Sequence, residues 1–393
     1  MERFWKFKDF DDSLWTNWKW QLQNRLDNAS NIKDYFPNIN QTDIQTFECY
    51  IKKYSFAITP YTLSLVELDE DLNPLFNDPI WNQFRFDQHD GVQGTSCYDG
   101  IHENWENPEE LPTRMLHHKY PDRAILRLVD CCFGYCNYCY LTSRIMDKKK
   151  TKNVAGTKEM WKKTIQYLRN NPQIRDIIIS GGDPLMFDNE NLERILLDVS
   201  SIDSIQSIRL NTRALTFNPF RFDTDLVEII KKYNVTALEV HFAHPKELSP
   251  IVDEKLRLFD EVGYRPLILW RSPLIRGVND TKEVLQELLL KLYQRRITPY
   301  YIFHYAPFTL GRCNRGLSVK RGVHLLSEIR REIPGPAFPK YTLFHIEGKH
   351  DIPLEPHGTD NFIYTRDENN RPIIKFKNWK NHWVTYPDIE EMK

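Results

Sequence analysis

The sequence predicts an α/β fold: a partial (β/α)6-type TIM-like barrel at 111–350, with an N-terminal helical cap at 1–110 and a C-terminal extension at 351–393. Three observations carry that expectation. Short apolar runs alternate with helix-period segments from residue 123 onward, the pattern of parallel βαβ units. Four of the seven cysteines crowd into "DCCFGYCNYC", residues 130–139, directly behind the first apolar run. Further polar groups, Gly181-Gly182-Asp183, Arg213, His241 and Arg271, fall at the ends of later runs. That is where a β/α barrel collects its chemistry.

Taken in order, the cap is rich in Trp, Asn and Phe, with helical stretches at "SLWTNWKWQLQNRLDN" and "TDIQTFECYIKKY". "RAILRLVD", residues 123–130, reads as a short buried strand. A helix follows at "TKEMWKKTIQYLRNN", with Met160, Trp161, Ile165 and Leu168 at helical spacing. Strands are then expected in "IRDIIISGGDPLMF", "IQSIRLNTRAL", "VTALEVHFAHP", "RPLILWRSPLIRGVN" and "TPYYIFHYA". Helices at "ENLERILLDVSSI", "DTDLVEIIKKYN", "PIVDEKLRLFDEVG" and "KEVLQELLLKLYQRR" separate them. "KYTLFHIEG" adds a seventh strand-like segment behind a sixth helix. In the tail, "TRDENNRPIIKF" has the polar turn of a hairpin, and "KKKTK" at 148–152 reads as a solvated loop.

The 393 residues suffice for one large barrel, and a composition 41% hydrophobic and 13% aromatic can bury a substantial core. A net charge of −1 argues against a nucleic-acid polyanion as a general partner. No apolar run approaches the ~20 residues of a membrane-spanning helix, and "MERFWKFKDF" has no secretory apolar segment. The expected location is cytoplasmic, where thiols stay reduced and crowded cysteines mean metal or catalysis.

The cysteines are Cys49, Cys97, Cys131, Cys132, Cys136, Cys139 and Cys313. An odd number with four crowded together is a poor disulfide framework. A four-ligand zinc site wants a second pair at short spacing, and His117-His118 do not form one. What remains is Cys132-x3-Cys136-x2-Cys139. Three thiolates on one loop suit three corners of a 4Fe–4S cube and leave the fourth iron open. Cys131 falls outside this spacing and reads as a packed strand residue.

That spacing resembles the cluster loop of the radical S-adenosylmethionine (SAM) superfamily, and the expected barrel is then of radical SAM type. The resemblance sharpens along the chain. "WTNWKWQLQNRL", "FAITPYTLSL", "HKYPDRAILRLVDCCFGYCNYC", "ISGGDPL", "IRLNTRAL", "VHFAHP" and "SPLIRGVND" follow the order of the lysine 2,3-aminomutase family. The resemblance implies a 4Fe–4S cluster on Cys132, Cys136 and Cys139. It implies SAM beside Tyr138, Gly181, Gly182, Asp183 and Arg213, with His241, rather than His244, facing the site. It also implies pyridoxal 5′-phosphate (PLP) in the same pocket, with Lys349 as its lysine and Lys119 and Arg123 near its phosphate. The expected activity is hydrogen abstraction by a 5′-deoxyadenosyl radical, followed by 2,3-amino-group migration.

The departures bear on substrate. The family's "GGGGKTP"-like lysine loop is "HIEGKHDIPLEP" here, so only Gly348-Lys349 is kept. Its phosphate arginine in "HRYPDR" is Lys119, a point charge that still suits phosphate. Its carboxylate-binding arginine, two residues after the last cluster cysteine, is Leu141, with Arg144 three residues on. The two aspartates that hold the lysine ammonium correspond to Ala306 and Phe344, within a region made aromatic by Phe303, His304, Tyr305 and Phe308. A buried ammonium without its partner costs ~3–5 kcal/mol, which points to an amino acid or amine other than lysine.

The alternatives are PLP-independent radical epimerisation, elimination or dehydrogenation on a larger or more apolar substrate, and a cluster-bearing sensor without turnover. Expected partners are a small-molecule substrate, an electron donor such as flavodoxin or ferredoxin, and a second copy in a homo-oligomer. No nucleic acid and no membrane are expected.

Overall fold

The computed structural model describes residues 3–85, 107–146, 148, 157–306, 315–355, 357–378 and 380–390. Cys97, Phe308, Cys313 and residues 149–152 of the basic run lie outside the described residues.

Seven parallel strands form the heart of a nine-stranded sheet whose spatial order follows the chain. They are β2 (Arg123–Arg127), β3 (Asp176–Ser180), β4 (Ser207–Thr212), β5 (Ala237–Val240), β6 (Leu267–Pro273), β7 (Thr298–Phe303) and β8 (Lys340–His345). Two antiparallel strands flank them. β1 (Leu116–Tyr120) pairs with β2, and β9 (Gly348–Asp351) folds back on β8. Neither stands out in the sequence, because "LHHKY" is half polar and "GKHD" has the composition of a turn. The sheet curls into an open barrel. Across its seam Tyr120 accepts a hydrogen bond from the Lys349 backbone N–H at 2.9 Å, and Lys119 Nζ reaches the Ile346 carbonyl.

The alternation of each strand explains the layers. Outward residues such as Ile177, Ile179, Ile208, Leu210, Leu238, Val240, Ile268 and Trp270 are buried. They pack beneath helices α2 (Lys158–Asn170), α3 (Asn189–Ser200), α4 (Thr224–Lys232), α5 (Pro250–Glu261), α6 (Lys282–Gln294) and α7 (Val319–Ile329). The preceding helix, α1 (Gln41–Lys53), belongs to the cap. Each barrel helix opens on an N-cap side chain that accepts a backbone N–H: Thr157, Asp188, Asp223, Ser249, Thr281 and Ser318. Inward residues mix polar groups such as Arg209, Asn211, Glu239 and His241 with Ile125, Ile178, Phe303 and Phe344, and they line a cavity.

The "SLWTNWKWQLQNRLDN" stretch forms two short helices, Asp12–Trp15 and Trp18–Gln23. Asn17 divides them because its side chain accepts from the N–H groups of Lys19 and Trp20 and starts the helix afresh. The cap lies on the chain between β4 and α4. Trp15 and Tyr61 meet the Phe220 ring edge-on, and Asn218 Nδ2 donates to the Trp18 carbonyl at 2.9 Å. Cys131 is not in a strand. It is a half-buried loop residue, because β2 ends at Arg127 and the chain turns to meet the Gly181-Gly182 bend. In the tail, β10 (Phe362–Arg366) and β11 (Pro372–Lys377) make the expected hairpin, and β12 (Trp383–Pro387) adds a third strand. This sheet packs its Phe376 ring on His350 of β9, centroids 4.5 Å apart. No helix among the described residues is long and apolar enough to cross a membrane.

Candidate active site

A cavity of about 1030 Å³ opens inside the barrel, at the upper end of the ~300–1,000 Å³ usual for ligand pockets. Cys132, Cys136, Cys139, Tyr138, Gly181, Gly182, Asp183, Arg213, His241, Lys119, Arg123 and Lys349 all line it. Segments as far apart in sequence as Lys119 and Lys349 are thus gathered around one cavity.

The cysteine loop is held from outside the barrel. Arg25 Nη1 donates to the Cys132 carbonyl at 2.9 Å, and the Tyr135 N–H donates to the Ala57 carbonyl at 3.1 Å. Asn137 Nδ2 donates to the carbonyls of Asn82 and Arg85. From inside, the glycine bend grips the same loop, as Gly182 N–H donates to Val129 O at 2.5 Å and Asp183 N–H to Cys131 O at 2.8 Å. Gly181 has φ +136°, and a Cβ on Gly182 would lie 2.0 Å from the Cys131 carbonyl oxygen. Gly182→Ala is therefore expected to lower stability by about 3 kcal/mol, read as a fall in the thermal unfolding midpoint and loss of iron on reconstitution.

Burial pushes the Cys132 thiol well up and the Cys139 thiol up to about 12. A bound metal deprotonates such a thiol outright. Among the described residues, no three His, Cys, Asp or Glu side chains converge on a single-ion site. A cube asks for less convergence, since each thiolate binds a different iron.

Around this loop the polar groups are largely committed, Arg213 Nε and Asn137 Oδ1 being buried exceptions. Arg213 Nη1 donates to Cys136 Sγ at 2.8 Å and to the Tyr138 oxygen at 2.6 Å, and its guanidinium lies 3.9 Å from the Phe217 centroid. Asp183 lines the wall, but its oxygens already accept from Thr212 Oγ1, Leu185 N–H and Arg213 N–H. Burial raises its carboxyl to about 6. It fastens the end of β4 to the bend after β3. His241 Nε2 lies 3.1 Å from Ser272 Oγ, and burial with Arg213 and Arg271 nearby keeps its imidazole neutral. His244 instead caps the turn after β5 and does not line the cavity.

At the other end, Lys349 Nζ lies 4.8 Å from the Tyr301 centroid and 5.1 Å from that of Phe303. Burial, with Arg271 next, lowers its pKa to about 7. It sits on β9 opposite Phe344, not in a solvated loop. Beside it runs a chain of charges of which the sequence singles out Arg271 alone, leaving Asp176, Arg209 and Glu239 unmarked. Glu239 bonds Arg209 Nη1 at 2.7 Å and Arg271 Nη1 at 2.9 Å, and Arg209 also pairs with Asp176. The signal was present as alternation: Arg209-x-Asn211-x-Arg213 and Glu239-x-His241 mark the inward face of β4 and β5. Lys119 is clamped by Glu110 at 2.8 Å, and Arg123 stacks 5.1 Å from the Tyr120 centroid.

The positions expected to lack the lysine-binding acids also line the cavity. Phe344 packs against Tyr140 and Phe303 at centroid distances of 5.4 and 6.2 Å, and Ala306 and Leu141 are buried. Lysine and arginine outnumber carboxylates along the described lining, where the acids are Asp183 and Glu239. Such a wall suits phosphate and carboxylate ligands better than a second ammonium.

An open parallel barrel with a three-cysteine loop at its mouth has the form of a radical SAM enzyme, and residues 126–287 match the Radical SAM superfamily. L-lysine 2,3-aminomutase of Clostridium subterminale is 31% identical over 354 residues, 90% of this chain and 81% of that protein. L-lysine 2,3-aminomutase of Acetoanaerobium sticklandii is 30% identical over 97% of this chain and 87% of its own. Glutamate 2,3-aminomutase of Clostridioides difficile is 29% identical over 87% of this chain and 77% of its own. The chain belongs to the lysine 2,3-aminomutase family of the radical SAM superfamily. It is an enzyme, and its superfamily implies a 4Fe–4S cluster and SAM.

Proposed function

We propose that the protein moves an amino group between adjacent carbons of an amino acid other than lysine, using PLP on Lys349 and a cluster on Cys132, Cys136 and Cys139. One observation carries the reading. A buried lysine amine, its pKa lowered to about 7, stands in the same cavity as the three thiols. When bound, the cluster and SAM supply a carbon radical, and PLP supplies a carbonyl that can hold the migrating nitrogen.

The chain's own groups do the rest. Lys349 presents a nucleophilic nitrogen because burial and Arg271 disfavour its proton. Lys119, Arg123 and the neighbouring guanidiniums give the wall its positive charge. The glycine bend lets backbone approach a ligand closely. Tyr140, Phe303 and Phe344 keep the substrate's side-chain end dry. Arg144, on the cavity wall, takes over carboxylate recognition where Leu141 replaces arginine. A low-potential donor such as flavodoxin or ferredoxin and a homo-oligomer complete the reading.

Support for a substrate other than lysine comes from Ala306 and Phe344, and one relative is named for glutamate rather than lysine. The test is borohydride reduction after loading with PLP. A pyridoxyl group on Lys349 is expected by peptide mass spectrometry, and its absence returns the protein to PLP-independent radical chemistry. Ala306→Asp combined with Phe344→Asp is expected to make lysine a substrate. Deuterium transfer from labelled lysine into 5′-deoxyadenosine should rise by at least about 100-fold, the size set by a ~3 kcal/mol ion pair. Efficient transfer from lysine in the unmodified protein would refute the substrate assignment.

A further inference from the structure

We infer that Gln83, supplied by the N-terminal cap, is a positioning residue for SAM: it holds Tyr138 and Arg213 in place beside the Cys136 sulfur. Gln83 is fully buried, some 130 positions before Arg213 in the chain. Its Oε1 accepts from the Tyr138 hydroxyl at 2.8 Å and from Arg213 Nη2 at 3.0 Å. Its Nε2 donates to Glu247 Oε1 at 2.8 Å and to the Pro79 carbonyl at 3.3 Å. One amide thus meets two donors with its oxygen and two acceptors with its nitrogen, its full capacity. Glutamate there would set a second carboxylate against Glu247. Methionine, of similar length, would leave the Tyr138 hydroxyl and one arm of Arg213 without that acceptor.

Both residues it holds face the cavity. Arg213 reaches Cys136 Sγ and the Tyr138 oxygen with Nη1, and its Nη2 donates to Gln83 Oε1 and to Glu247 Oε1 at 3.3 Å, so its plane is set by the Gln83–Glu247 pair on one edge and by the cysteine loop on the other. Glu247 is itself immobilised, with Oε2 accepting from the Ala243 and His244 N–H groups. The backbone adds to the grip, as the Gln83 carbonyl accepts from Asn137 N–H at 2.9 Å. Hydrogen bonds among charged groups in a dry site have no water to replace a lost partner, so one deletion reorients the whole set. The inference rests on Cys132, Cys136 and Cys139 holding the cluster. The iron content of each variant reports on that assignment separately from SAM affinity.

The experiment uses the full chain, reconstituted anaerobically with iron and sulfide, and measures SAM binding by equilibrium dialysis alongside iron content. Gln83→Met is expected to retain iron and to bind SAM about tenfold more weakly. The electron paramagnetic resonance signal of its reduced cluster should respond less to added SAM. Wild-type affinity at full iron content overturns the inference. Tyr138→Phe removes one oxygen from a packed ring and reads the same relay even if Gln83→Met does not fold. It is expected to weaken SAM binding by about threefold, and unchanged affinity overturns the inference as well. Where both variants fold, the double variant should lose less affinity than the two single losses summed, because the two share one hydrogen bond. Additive losses would mean independent roles and would reject the relay.

Discussion

Cys136→Ala is expected to abolish formation of 5′-deoxyadenosine from SAM under strong reductant and to bleach the brown colour of the reconstituted protein. Three thiols line the cavity, and the loop offers no fourth at the required spacing. The neighbouring Cys131 is half-buried, does not line the cavity, and lends its carbonyl to Asp183 N–H. It is therefore a useful control, and Cys131→Ala should keep its iron. In Cys136→Ala, Arg213 would also lose the sulfur it now touches at 2.8 Å. Iron content and product yield should fall together by at least about 100-fold in yield, a ~3 kcal/mol change in the relevant equilibrium. A variant with full iron and normal yield would show that the cube is held elsewhere.

Lys349→Ala is expected to eliminate borohydride-stable pyridoxyl labelling while leaving the cluster and SAM cleavage in place. The two ends of the cavity would thereby be shown to be chemically separable. The lysine's titration adds a second readout. An ordinary lysine holds its proton to about pH 10.4, whereas Lys349 in the folded chain gives it up near 7. Labelling by PLP needs the neutral amine, so its rate should rise through pH 7 and fall about tenfold per unit below it. The linkage has the matching sign. Between 7 and 10.4 the unfolded chain binds more protons than the folded one, so stability rises with pH across that window. Below 7 both states carry the proton, and the cost of burying an ammonium is fully felt. Lys349→Met removes that cost. Its thermal midpoint, relative to the unmodified protein, should be higher at pH 6 than at pH 9, and a difference independent of pH would contradict the buried, neutral amine.

Much of this arrangement was legible from sequence because strand ends in a parallel barrel meet at one mouth. Cys132, Gly182, Arg213 and His241 each follow an apolar run, and the topology alone brings them together. What stayed hidden has two physical origins. Gln83, Arg25 and Glu247 act through pairings across long stretches of chain, and nothing local in the cap marks a glutamine as a partner for an arginine 130 residues on. β1 and β9 were missed because strands at a sheet's edge need not be apolar on both faces. The reading of Lys349 as part of a loop had the same cause. "GKHD" looks like a turn until β8 is there to pair with it. Arg209 and Glu239, by contrast, were within reach, since a polar residue at every second position of an apolar strand already says which way it points.

That division of each strand has a consequence for how such an enzyme changes over generations. Residues that carry the fold point away from the lumen, and residues that touch ligands point into it, so one set can drift while the other stays put. Exchanging an acid for Phe344 or Ala306 leaves Leu343 and Ile302 beneath their helices. New substrates can be explored by altering alternate letters of the same short strands, without first rebuilding the scaffold that displays them.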